Sequence, residues 1–103
     1  MDFEVCIMRR IRELINSQKK VYILLSTKAI QYRFMSDAAR EGITYGDGVA
    51  ATERLVEDIM ALKENGTICF LGWAGRMCYH YAQNQAIKIN YEKYIDSADD
   101  YII

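Results

Sequence analysis

The chain has 103 residues, of which 51% are hydrophobic and 26% charged. That length holds one core with little room for a second, and the composition excludes a disordered chain. The longest purely apolar run, "VYILL", is too short to span a bilayer, and no apolar segment of signal-peptide type follows Met1, so a cytoplasmic chain is expected.

In chain order, "FEVCIMRRIRELINSQ" places Ile7, Met8, Ile11, Leu14 and Ile15 at helical spacing, predicting an amphipathic helix over residues 3–17 within an N-terminal segment 1–18. "KVYILLST" then reads as a central strand covered on both faces. Ser26 or Thr27 can cap a helix through "KAIQYRFMSDAAREG", with Ile30, Phe34 and Ala38 on one stripe and Gly42 as its stop. "ITYGDG" reads as a short strand entering a turn, in which Gly46 and Gly48 are free to take positive φ. "VAATERLVED" reads as a short helix.

Asn65-Gly66 between apolar flanks predicts a hairpin pairing "DIMALK" with "TICFLG". The alternative is one helix through Leu55, Val56, Ile59 and Met60 that ends at Gly66. After "GWAG" a short helix is expected through "RMCYHYAQN", and then a last strand over "AIKINYEKY" on the alternation of Ile87, Ile89 and Tyr91. The tail "DSADDYII", residues 96–103, is either a flexible acidic end or docked through Tyr101, Ile102 and Ile103. The sum is a single α+β domain over residues 1–103, with a mixed sheet of about five short strands packed by three or four helices.

The stretches "DAAREGITYGDG", "DIMALKENGTICFLGWAGRM" and "KINYEKYI" resemble small uncharacterised proteins encoded by phages and prophages of Gram-positive bacteria. The resemblance spans roughly residues 20–95. It implies a host–virus setting, in which small proteins often act by binding or inhibiting a host protein, and it assigns no residue a role.

Charge is uneven along the chain. Residues 1–40 carry eight Lys/Arg against four Asp/Glu, and residues 41–103 carry five against ten. Such a dipole can orient a partner or cancel across a compact surface. Arg9, Arg10, Arg12, Lys19 and Lys20 suit either phosphate contact or the solvated side of a helix; the net negative chain favours the second, so nucleic acid is not an expected partner.

Two glycine-rich corners are the candidate ligand sites. At "GWAGR", Gly75 would admit a close approach, Arg76 would clamp a phosphate or carboxylate, and Trp73 would cover a planar part. At "YGDG", Tyr45, Asp47 and Gly48 would complete a pocket for a nucleotide-like molecule if the corners meet. The structural alternative is close packing at the first corner and a self-stabilised turn at the second.

Cys6, Cys69 and Cys78 are an odd set without metal-site spacing, and His80 sits two residues from Cys78, where helical side chains diverge. No metal site, cofactor or catalytic residue is therefore expected, and a binding protein is favoured over an enzyme. Tyrosine occurs eight times. Tyr79, Tyr81, Tyr91 and Tyr94 are the candidate partner surface, in a chain expected to form a homodimer, although a small core uses tyrosine too.

Overall fold

The structure is a computed structural model that describes residues 9–82 and 85–103. Among these residues a five-stranded sheet is built from β1 (Lys20–Leu24), β2 (Thr44–Tyr45), β3 (Ile59–Leu62), β4 (Thr67–Phe70) and β5 (Ala86–Asn90). The spatial order is β2-β4-β3-β1-β5. The β1–β3 and β3–β4 pairs are antiparallel, and β1–β5 and β2–β4 are parallel. Three helices accompany the sheet: α1 (Lys28–Arg40), α2 (Gly72–Tyr81) and α3 (Tyr91–Ile95). The expected α+β class, mixed sheet and strand count are all present.

Strand alternation divides the sheet into two unlike faces. Val21, Ile23, Met60, Leu62, Ile68 and Ile89 point to one side, where they join Phe34, Met35 and Ala38 of α1 and Tyr91 and Tyr94 of α3 in the core. Tyr22, Ala61 and Cys69 lie on one rung of the opposite face, beneath α2. β1 is thus buried on both faces, as its continuous apolar run requires.

α1 starts where Thr27 Oγ1 accepts the Ile30 amide at 3.2 Å. It stops at Gly42, whose φ is +75°. Its inward stripe carries a charge: the Asp37 carboxylate is 5% exposed and accepts from Arg33, Arg40 and the Tyr91 hydroxyl.

The hairpin between residues 59 and 70 forms, and the single-helix alternative does not. Its loop is longer than a two-residue Asn-Gly turn. The Gly66 amide donates to the Lys63 carbonyl at 3.0 Å, only Gly66 takes positive φ (+83°), and Asn65 Oδ1 accepts from the Thr67 amide and hydroxyl.

Four expectations need correction. Of the helix expected over 3–17, residues 3–8 lie outside the described residues, and the rest holds one 3₁₀ turn, Ile11–Leu14. The Glu41 carboxylate takes the Ile11 and Arg12 amides, and Ile15 is already extended. "VAATERLVED" forms only the 3₁₀ turn Ala51–Glu53, because Arg54 folds back onto Asp47 and the Tyr45 ring. "GWAG" is the first turn of α2 rather than a loop before it. The last strand stops at Asn90, whose side chain accepts the Lys93 amide at 3.2 Å and caps α3, so "YEKY" is helical.

The C-terminal tail is docked rather than loose. Ser97, with φ +63°, closes α3: its amide reaches the Tyr94 carbonyl and that of Ala98 reaches Lys93. The reversed chain then lies along β5, where the Asn90 amide donates to Tyr101, the Ile103 amide donates to Lys88, and Ile102 bridges Ile89.

Candidate functional site

The two glycine-rich corners lie at the same end of the sheet, since β2 and β4 run parallel and the Tyr45 and Phe70 rings stack at 5.3 Å. Their charged groups face local partners. Asp47 Oδ2 accepts from Arg54 at 2.7 Å and its Oδ1 accepts the Val49 amide, and the Arg54 contact holds its carboxyl below the usual range. Tyr45 is 3% exposed and lies under Arg54. Gly48 takes the positive φ (+87°) that closes this turn.

Arg76 donates to Asp58, just before β3, and stands 3.8 Å from Glu57. That contact depresses the Asp58 pKa. The arginine expected to clamp an anion therefore ties α2 to the start of β3. Positive φ falls at Gly72 and not at Gly75, which is inside the helix. A Cβ on Gly75 would meet the Leu71 Cβ at 2.9 Å, so glycine there serves close packing.

Of the four tyrosines assigned to a partner surface, Tyr91 and Tyr94 are core residues. The Tyr91 ring meets Phe34 edge to face at 5.2 Å, and the Tyr94 hydroxyl donates to the Arg10 carbonyl at 2.6 Å. They close the core where α3 meets the first 3₁₀ turn, with the polar end of each ring bonded. Tyr79 is half-buried, set edge-on against Tyr22 at 5.4 Å with Lys88 Nζ 4.5 Å from its ring centre. Only Tyr81 is open to solvent.

What the structure adds is the exposure of α2, which contains no buried residue. Gly75, Arg76 and Tyr79 face the sheet. Trp73, Met77 and Tyr81, at i, i+4 and i+8, occupy roughly 80° of arc on the opposite side, with Trp73 80% and Tyr81 74% exposed. At about 150–250 Å² for a large aromatic side chain, these two present on the order of 300 Å² of mostly apolar surface. That equals the largest patch of many monomers. The sequence contains this stripe as W-x₃-M-x₃-Y, and nothing local to it tells whether the sheet or solvent receives it.

Comparison with protein-family models, with curated proteins and with solved structures finds no match to this chain. Among the described residues, no helix is long and apolar enough to cross a membrane.

Proposed function

We propose that this chain is a protein-binding module that acts by stoichiometric association, with the outer face of α2 as its recognition element. The observation that carries this reading is the solvent exposure of Trp73, Met77 and Tyr81 on a helix that buries none of its residues. Leaving two large aromatics in water forgoes burial worth about 1.5–3 kcal/mol for a large apolar side chain. A partner's apolar groove recovers it by taking the three side chains as successive anchors. α2 has no carboxylate, and its arginine is already paired with Asp58, so the groove needs no charged counterpart.

A second copy of the chain is a further reading, favoured by one feature of the stripe. Trp73 and Tyr81 lie equally far from Met77, so two antiparallel α2 helices related by a two-fold axis at Met77 would set each Trp73 against the partner copy's Tyr81.

The test is a Trp73→Ser/Tyr81→Ser variant, whose melting curve should match that of the wild type because neither ring is packed. Both proteins are immobilised and exposed to lysate of a Gram-positive bacterium, the setting implied by the sequence resemblance. A stoichiometric protein held by the wild type and lost from the variant supports the reading. Light scattering tests self-association: a mass near twice 11.9 kDa that falls to 11.9 kDa in the variant assigns the stripe to a homodimer. Identical capture by both proteins, with a monomeric wild type, refutes the module.

A further inference from the structure

A groove of about 470 Å³ opens beside α2, on the sheet face away from the core. It exists because the middle residue of the rung Tyr22–Ala61–Cys69 is alanine and the helix above it presents Gly75. Its size falls within the range of small-molecule sites. Leu71 supplies an apolar wall on one side. The other wall is the lead-in to β1, fixed by Asn16 Oδ1, which accepts the Gln18 and Lys19 amides at 2.8 and 2.9 Å.

Two independent features of this groove call for a ligand. The first is Tyr22, which is 97% buried by its 3% exposure yet lines the groove. Its hydroxyl has no hydrogen-bond partner among the described residues and is not sealed from solvent. Like any phenol it is a protonated donor at neutral pH, and burial raises its pKa further.

The second is charge. The antiparallel register Val21↔Leu62 carries on to set Lys20 beside Lys63, both on the groove face, and Lys19 lies next along the chain. Among the described residues, no carboxylate stands within ion-pair distance of any of the three. Among the described residues, Glu64 is the single acidic residue on the rim. Adjacent like charges across a strand pair are destabilising, and an anion between them removes that repulsion.

We propose that this groove binds a small organic anion, its phosphate or carboxylate held at the Lys19–Lys20–Lys63 end and its apolar body lying over Ala61 beside the Tyr22 hydroxyl. The site shares no residue with the Trp73–Met77–Tyr81 stripe and stands or falls separately from it.

The experiment is an amide chemical-shift titration of the whole chain with phenyl phosphate and with benzoate. Benzyl alcohol and inorganic phosphate serve as the neutral and body-less controls. Saturable shifts centred on Tyr22, Ala61 and Cys69 are expected with at least one anion, at least about tenfold tighter than with either control. Whichever anion binds tighter identifies the head group. Lys20→Glu and Lys63→Glu should each weaken binding roughly tenfold without lowering the melting temperature, since each replaces a like-charge neighbour with an opposite one. Tyr22→Phe should keep the fold and weaken binding several-fold. The proposal is overturned by shifts centred elsewhere, by no saturation with either anion to about 10 mM, by a control that binds as tightly, or by lysine reversals that leave affinity unchanged.

Discussion

Replacing Tyr91 with phenylalanine isolates one hydrogen bond at the centre of the core. The hydroxyl donates to Asp37 Oδ2 at 2.6 Å, while the ring is held separately, edge to face with Phe34 at 5.2 Å. Phenylalanine keeps the ring and removes only the donor. Asp37 retains Arg33 Nε at 3.0–3.1 Å on both oxygens and Arg40 at 2.8 Å, so its charge is not orphaned. The loss is therefore that of one charge-assisted hydrogen bond, about 2 kcal/mol. In a chain of this size that lowers the melting temperature by roughly 8–10 °C. Asp37→Ala should cost more, about 3 kcal/mol, because it strands the buried hydroxyl as well as releasing two half-exposed arginines. The decisive measurement is the double variant in urea. With Asp37 already absent, Tyr91→Phe deletes an orphaned donor and should be neutral or stabilising. A cost of about 2 kcal/mol for Tyr91→Phe in both backgrounds would refute the assignment of that energy to the Tyr91–Asp37 bond.

Alkaline pH should unfold the chain through the same residues. Burial raises the pKa of Tyr91 and of Tyr94, so both stay protonated in the folded state while unfolded tyrosines ionise near pH 10. The stability this contributes is complete below about pH 10 and falls above it; denaturant midpoints measured from pH 8 to 11 should decline at the top of the range, and less steeply in Tyr91→Phe. Arg76→Ala should cost less than about 1 kcal/mol, because the side chains of Arg76 and Asp58 are 37% and 53% exposed and the pair is screened by solvent. Carboxyl titration by NMR should find the Asp58 pKa raised in that variant. With a depressed folded value, the pair's contribution is present above about pH 4 and is lost as the pH falls below that, through the folded pKa of Asp58.

The elements legible in the sequence were those whose signals are local. Thr27 capping α1, Gly42 ending it and the β-rich run around Val21 each act within a few residues, and the structure keeps all three. The hairpin was legible from Asn65-Gly66, although its loop type was not, because Gly66 also lies against Arg12 from a distant turn. Two elements depart from their local patterns for different reasons. Tyr91 continues the alternation of Ile87 and Ile89, but the Asn90 side chain caps a helix there, and alternation over three positions does not exclude a helix start. Residues 11–14 show helical spacing over too short a span to reject a 3₁₀ turn, and what fixes that turn is Glu41, about thirty residues away.

Sites were less legible than folds because charge partners are set by tertiary placement. Asp37 was invisible as a buried group although Arg33 and Arg40 flank it at helical spacing, since the same pattern describes a solvated ion-pair face. Arg76 suggested an anion clamp, and only the register of β3 against β4 brings Asp58 to it. The groove beneath α2 depends on Ala61 and Gly75, two residues notable for what they lack. Small side chains become informative only when a helix passes over a strand at their positions, which local periodicity does not encode. The two faces of the sheet complete the argument. One buries the apolar stripes of α1 and α3 in a continuous core, and the other receives one short helix through Tyr79 and leaves Trp73 in solvent. A domain whose stability is vested in one face is free to use the other for recognition, and both proposed sites lie there.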